Sequence, residues 1–267
     1  MGEDTGRRPR DRRERIKSRV VDEGFVRIEQ LARDLGVTPM TIRRDLDYLQ
    51  GKGWLRKVRG GATAQPSTAF HGDVRHRTQA MAQEKQSLAQ AALPLVKPGQ
   101  SVILDDSTTA LALARLLGPR APLTVITNFV PVIQVLAGSP GIELISLGGT
   151  YFPAYDAFLG VRTADAAASL HADTLFASTT AITRSHCYHQ SQETVAVKRA
   201  LMEACDHRVL LVDHTKFRRR GLYQLAPVRA FDLVIVDAGI PPADLDALQA
   251  ENVEVLVAPA GGQGVGG

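Results

Sequence analysis

The run Thr38-Pro39-Met40-Thr41-Ile42-Arg43-Arg44 joins a hydroxyl, a proline and two adjacent guanidinium groups. This is the chemistry of a short capped helix that can grip a polyanion. The Thr38 hydroxyl can take an unpaired N–H of the first turn, and Pro39 at the first helical position gives up a donor that has no partner there. Ile42, Leu46 and Leu49 recur at helical spacing and predict one buried stripe. Arg43 and Arg44 fall off that stripe. Arginine forks pair with guanine edges or phosphates in the DNA major groove, so Thr38, Met40, Thr41, Arg43 and Arg44 are candidate DNA contacts, with Asp47 nearby.

A second set of chemically useful residues lies far downstream. Asp105-Asp106-Ser107-Thr108-Thr109 follows an apolar run and leads into a helical pattern. Hydroxyls and backbone N–H groups at a helix start suit an anion. Asp213-His214-Thr215-Lys216-Phe217 ends another apolar run and brings a lysine. In an open α/β sheet such strand ends share one crevice. A small, phosphorylated and hydroxylated ligand would fit it.

The elements that must position the first set are short. Ile28, Leu31, Ala32 and Leu35 make a helical stripe that Gly36 stops, a tight turn before the Thr38 helix. An earlier helix over residues 11–23 turns Ile16, Val20 and Val21 inward and most of its Arg and Lys outward. Downstream, Gly51 and Gly53 break the recognition helix. Residues 54–61 then read as a basic β-ribbon, a wing whose Arg56, Lys57 and Arg59 would hold phosphates.

Charge agrees with this division. Residues 1–65 carry 16 Lys or Arg against 10 Asp or Glu, and the remainder carries 16 against 18. The basic character is therefore confined to the first part, as a phosphate-binding surface requires. Arg7, Arg8, Arg10, Arg12 and Arg13 read either as a flexible arm that touches DNA or as a solubilising tail.

The second set belongs to an alternation of strands and helices. Strands are expected at 101–104, 123–126, 142–147, 174–178, 209–212, 233–236 and 253–257. Helices are expected at 84–96, 110–117, 130–137, 161–170, 194–205 and 243–250. The fold class is therefore α/β: a small N-terminal winged helix-turn-helix domain plus a larger, mostly parallel α/β effector-binding domain. The expected parts are a basic arm (1–10), the DNA-binding domain (11–63), a linker (64–80), the effector-binding and oligomerisation domain (81–260) and a glycine-rich tail (261–267). No apolar run reaches the length of about 20 residues that a bilayer span needs. The arginine-rich start lacks the apolar core of a signal peptide, and two cysteines give no disulfide framework. A cytoplasmic protein with no membrane partner follows.

The stretch from Arg12 to Ala62 closely resembles the DeoR family of bacterial transcriptional regulators. Leu31-Ala32, the run from Thr41 to Leu46 and the closing Gly60-Gly61-Ala62 carry the likeness. The family usually has Ser where this chain has Thr38, and often His at Arg59. The rest of the chain resembles the family's effector-binding half, which is related to ribose-5-phosphate isomerase and usually senses a sugar phosphate. The resemblance implies effector contacts at Asp105, Ser107, Thr108 and Thr109 and at Asn128. It adds the Gly148-Gly149 turn, Gly160, Glu193, Lys198, Asp213, Lys216 and Phe217. Two departures stand out. Ser107 replaces a usual glycine, and the segment from Ser178 to Thr183 replaces a stretch that normally supplies a carboxylate to the sugar.

These features predict a repressor of sugar or related carbon-catabolism genes. It would be a dimer or tetramer on a double-stranded DNA operator, released by a small-molecule effector such as a sugar phosphate, with no cofactor. Two other readings stay open. A sugar-phosphate isomerase carrying a DNA-binding module would need a base, and Glu193 is the candidate. A metal-responsive regulator would use His186, Cys187 and His189, although their spacing matches no standard closed site.

Overall fold

The computed structural model describes residues 9–23, 25–51, 55–64 and 74–260, and the chain divides between His76 and Arg77 into two compact units. In the first unit α1 (Pro9–Glu23), β1 (Phe25–Arg27), α2 (Ile28–Leu35), α3 (Pro39–Gly51), β2 (Leu55–Val58) and β3 (Gly61–Ala64) follow one another. Strand order is β1-β3-β2, antiparallel throughout. Ile16, Leu31, Ile42, Leu46, Leu49 and Leu55 are fully buried and close the core. Gly36 ends α2 in the left-handed conformation at φ 64°, its N–H turned back to the Ala32 and Arg33 carbonyls.

Sequence reasoning missed β1. It is three residues long, yet it gives the ribbon a third strand. Arg27 pairs with Gly61, where a Cβ would stand 2.1 Å from the Val26 carbonyl oxygen. Only glycine lets the two strands come that close. The recognition helix ends at Gly51, one of the two glycines expected to break it. Gly53, the second expected helix breaker, and Trp54, the expected start of the wing, lie outside the described residues, as do Arg7, Arg8 and the glycine-rich tail.

The second unit begins within α4 (Val74–Gln79), a short helix inside the stretch expected as linker. Then come α5 (Ala82–Ala92), β4 (Ser101–Leu104), α6 (Thr108–Ala114), β5 (Leu123–Thr127), α7 (Val130–Leu136) and β6 (Ile142–Ser146). A hairpin, β7 (Thr150–Phe152) and β8 (Ala157–Leu159), precedes α8 (Val161–Ala168) and β9 (Ala172–Ala177). After β10 (Ala181–Thr183) and β11 (His186–His189) come α9 (Gln192–Glu203), β12 (Cys205–Val212), β13 (Tyr223–Pro227), β14 (Leu233–Asp237), α10 (Pro242–Gln249) and β15 (Glu254–Ala258).

Seven strands form one parallel sheet in the order β15-β14-β12-β9-β4-β5-β6, so the chain runs outward from β4 and later returns to its other side. The reversal falls between β4 and β9. Right-handed crossovers put α6 and α7 on one face and α9, made while the chain runs the other way, on the other. A smaller antiparallel sheet, β10-β11-β13, stands beyond the end of β9.

Candidate functional site

Each unit carries one candidate site. In the first, Thr38 Oγ1 accepts from the Thr41 main-chain N–H at 3.2 Å, and the two threonine hydroxyls lie 3.0 Å apart. The cap is therefore the one the sequence indicates. Met40, Arg43, Arg44 and Asp47 are exposed along α3 at steps of three and four residues, opposite the buried Ile42, Leu46 and Leu49. Arg59 is exposed in the turn between β2 and β3. Lys57 is less available, because its amine pairs with Asp47 and its N–H donates to Gln50 Oε1 at 2.7 Å. Arg56 lies on β2, with its side chain outside the described part.

The reading of Arg12 and Arg13 as an arm is overturned. Both sit in α1 and donate to Asp45 of α3, Arg12 Nε to Oδ2 at 2.5 Å and Arg13 Nε to Oδ1 at 2.7 Å. Arg12 and Asp45 are buried, and Arg13 also stacks 3.8 Å over the Tyr48 ring. Arg19 of α1 pairs with Asp34 of α2. These ties fix the recognition helix against its neighbours.

In the second unit the carboxyl ends of β4, β9 and β12 converge at the reversal of strand order, the usual ligand position in such sheets. Asp105 is fully buried: its Oδ1 accepts from Ser107 N at 3.0 Å and its Oδ2 from Ser178 N at 2.7 Å and from the Lys198 amine. Lys198 also lies 2.9 Å from Asp106 Oδ1. Burial lowers the Lys198 pKa, but the two carboxylates outweigh it and the amine is held charged above its ordinary range. Asp105 and Lys198 therefore join β4, β9 and α9 to one another.

Ser107 Oγ caps the seven-residue helix α6 by accepting from Ala110 N at 3.0 Å, which uses up one of the first-turn donors expected for an anion. Asp213 Oδ1 accepts from Thr215 N at 3.1 Å, and its Oδ2 is 3.3 Å from the Lys216 amine. Thr108 and Thr109 are buried beside this loop, and Thr108 donates to the Arg77 carbonyl at 3.3 Å. Asn128 is buried and donates to the Phe158 carbonyl at 2.9 Å.

Three nominated residues point elsewhere. Gly148 and Gly149 are exposed and serve packing: the Gly148 carbonyl accepts from Thr163 Oγ1 at 2.9 Å, and a Cβ on Gly149 would meet that hydroxyl at 2.0 Å. Glu193 is exposed, and its carboxylate accepts from Ser191 Oγ at 2.8 Å at the start of α9.

Sequence reasoning missed four residues of this crevice. Lys85 of α5 is buried, donates to the Arg77 and Ala80 carbonyls, and has its pKa lowered to about 8, first by burial and then by Lys216. Arg77 donates to the Tyr155 carbonyl at 3.5 Å. Tyr155, in the β7–β8 turn, is buried, which pushes its phenol up to about 12. His189 lies 3.1 Å from Thr180 Oγ1, and burial together with Lys198 keeps its imidazole neutral. The signal for Lys85 was present. Lys85, Leu88, Ala89 and Ala92 share a helical stripe, and all four are buried.

The metal reading fails on geometry. Burial alternates along β11, with Cys187 and His189 facing inward and His186 the other way. Burial pushes the Cys187 thiol up to about 12, far from the thiolate a metal needs. Among the described residues no three His, Cys, Asp or Glu side chains gather as a metal site would.

A winged helix-turn-helix reader followed by a doubly wound α/β unit with a polar crevice defines a ligand-sensing DNA-binding regulator. The chain belongs to the DeoR family: residues 12–68 match the DeoR-like helix-turn-helix domain and residues 80–238 the DeoR C terminal sensor domain. Among similar proteins, the "Putative aga operon transcriptional repressor" of Escherichia coli is 32% identical over 92% of this chain and 93% of its own length. The L-fucose operon activator of Haemophilus influenzae is 31% identical, over 86% of this chain and 92% of its own. Ribose 5-phosphate isomerase A of Methanocaldococcus jannaschii aligns at 19% identity with TM-score 0.38, covering 52% of this chain and 55% of that one, a likeness too distant to bear on activity. Among the described residues no helix is long and apolar enough to cross a membrane.

Proposed function

We propose that this protein represses sugar or related carbon-catabolism genes by holding an operator through α3 and the wing, and releases it when a sugar phosphate binds the crevice. The observation that carries this reading is the convergence of Lys85, Lys216 and Arg77 with the buried Thr108 and Thr109 at the reversal of the sheet. Cations beside hydroxyls suit a phosphorylated polyol. Met40, Thr41, Arg43 and Arg44 face the major groove, and Arg56, Lys57 and Arg59 hold phosphates. The exposed Lys57–Asp47 pair is of the weak kind that a phosphate can replace. A homodimer or tetramer in the cytoplasm presents two such helices to paired half-sites.

The crevice binds without turnover. Isomerisation needs a base aimed at the substrate carbon, yet Asp105, Asp106 and Asp213 are each committed to a lysine and Glu193 to Ser191. Ser178, Thr179 and Thr180, all buried, stand where the family usually places a carboxylate. A ligand alters DNA affinity only through a differential preference for one state of the protein.

Fluorescence anisotropy on labelled DNA from upstream of the gene tests this, with a panel of sugar phosphates and the same sugars unphosphorylated. Release by a phosphorylated member, lost in Lys216→Ala, is the expected result. Tight DNA binding indifferent to the whole panel would sink the sensor role.

A further inference from the structure

Tyr155 is out of place for a turn residue. Turns ordinarily carry small or polar side chains at the surface. Yet Tyr155, in the turn joining β7 to β8, is 6% exposed, while Pro153 of the same turn is open to solvent. The backbone is bent to put it there. Asp156 has φ 50°, in the left-handed region that a residue with a Cβ keeps only where its surroundings hold it. Its carbonyl accepts from Val130 N at 3.0 Å, and its carboxylate accepts from the Tyr151 phenol at 2.7 Å. Phe158 N donates to the Asn128 carbonyl at 2.9 Å, and Asn128 Nδ2 donates to the Phe158 carbonyl at 2.9 Å. The hairpin is thus rooted just beyond β5. Its tip reaches the Arg77 guanidinium and the Ser191 hydroxyl that caps α9.

The crevice is polarised between this tip and Lys216. Around Lys216 stand Lys85, Arg77 and Arg219 against Asp213. Around the Tyr155 phenol stand Asp106 and Glu193 against Arg77, with Lys198 paired to Asp106 at 2.9 Å. A phosphoryl group belongs at the first pole, which leaves the second for the hydroxylated end of the ligand. Burial pushes the phenol up to about 12, so it stays a neutral hydroxyl that can both donate and accept. Its bond to Ser191 is replaceable. Ser191 Oγ accepts from Thr194 N at 3.2 Å and donates to Glu193 at 2.8 Å, and it keeps both bonds when the phenol turns away. Asn128 Oδ1, buried at the hairpin's root, has no hydrogen-bond partner among the described residues and is an acceptor that a ligand hydroxyl would satisfy.

We infer that Tyr155 selects the effector by its hydroxylated end: the phenol leaves Ser191 for a ligand hydroxyl remote from the phosphoryl group, and the β7–β8 hairpin closes on the ligand as a strap. This role rests on the anionic-effector reading above, and it adds the residue that separates a sugar phosphate from phosphate alone.

The test uses the full-length chain, with inorganic phosphate and a panel of pentose and hexose phosphates as probes. Calorimetric affinities are read for wild type and Tyr155→Phe, which keeps the ring and removes only the hydroxyl. The expected result is a roughly three- to tenfold loss for the sugar phosphates that wild type binds best, the loss of one hydrogen bond, with inorganic phosphate unchanged. Equal loss for phosphate and sugar phosphates, or no loss for any probe, overturns the role of Tyr155 and leaves the effector reading standing. A wild type indifferent to every probe overturns both. Hydrogen exchange of the wild type covers the case of a variant that fails to fold. Peptides spanning residues 150–159 should exchange more slowly with a sugar phosphate than with inorganic phosphate, and equal exchange there overturns the strap.

Discussion

Arg12 of α1 and Asp45 of α3 form a buried ion pair, Nε to Oδ2 at 2.5 Å, that ties the recognition helix to the first helix of its unit. A buried pair broken from one side leaves a charge with no water to solvate it. Asp45→Ala should therefore destabilise the DNA-reading unit by about 3–5 kcal/mol, and operator affinity should fall with it. Replacing both partners by leucine should recover much of the loss. Urea unfolding reads both variants; a cost under about 1 kcal/mol for Asp45→Ala would mean that solvent screens the pair.

The wing offers a contrast between neighbouring glycines. Gly60 has φ 80° with open space where a Cβ would go, whereas a Cβ on Gly61 would collide with the Val26 carbonyl. Gly60→Ala should cost about 1 kcal/mol of backbone strain. Gly61→Ala should cost roughly 1–3 kcal/mol or more as β1 is forced from β3. The opposite ranking in thermal melts would contradict the three-stranded pairing.

Arg43 and Arg44 are exposed on α3, so their removal should act on DNA binding rather than on the fold. Each Arg→Ala change should leave stability within about 0.5 kcal/mol. Removing an arginine that holds a phosphate lowers the salt slope of binding by about one, while removing one that reads a base costs about 1–3 kcal/mol of discrimination. Anisotropy titrations at several salt concentrations separate the two, and an unchanged titration removes the residue from the interface.

Lys198 answers two carboxylates from inside the fold. Lys198→Met should destabilise the sensor unit by about 3–5 kcal/mol, since Asp105 and Asp106 would stay buried without their cation. Its loss of effector response would then be a folding effect. A stable Lys198→Met protein that has lost only the response would instead make Lys198 a ligand contact.

Lys85 gives the crevice a pH dependence of definite sign. Burial, then Lys216, Arg77 and Arg219, lower its pKa to about 8 against the pull of Asp213. Below that pH the folded chain bears the full cost of a charged buried amine, and the cost is relieved as pH rises from 8 toward 10.5. A phosphoryl group favours the charged amine, so above pH 8 its binding must take up a proton. Affinity should be nearly flat from pH 7 to 8 and then fall by up to about tenfold per unit. Calorimetric titrations at pH 7, 8 and 9 check this, and a flat profile to pH 9 would remove Lys85 from the contact.

The parallel sheet was legible because strands covered on both faces are continuous apolar runs. All seven runs became strands, and the six helical patterns before and between them became helices. The small strands β1, β7, β8, β10, β11 and β13 escaped because they are short and mixed, as His186–His189 illustrates. α4 escaped because Val74 is its one apolar residue. In the crevice, the residues at strand ends were legible from their loops, but Lys85 was not, nor was the role of Asp45. Both are charged side chains on an otherwise apolar helical stripe, Lys85 with Leu88 and Ala92, Asp45 beside Ile42 and Leu49. Charge alone reads as solvent-facing; its place on the stripe tells otherwise.

The reader's core draws on residues between Ile16 and Ala62, whereas the crevice waits for Lys198 and Lys216. A ribosome working at about 5–20 residues per second needs on the order of ten to thirty seconds to go from one to the other. For that interval a growing chain carries every residue of its DNA reader and lacks those proposed to answer a metabolite. Translation thus makes the grip before the release.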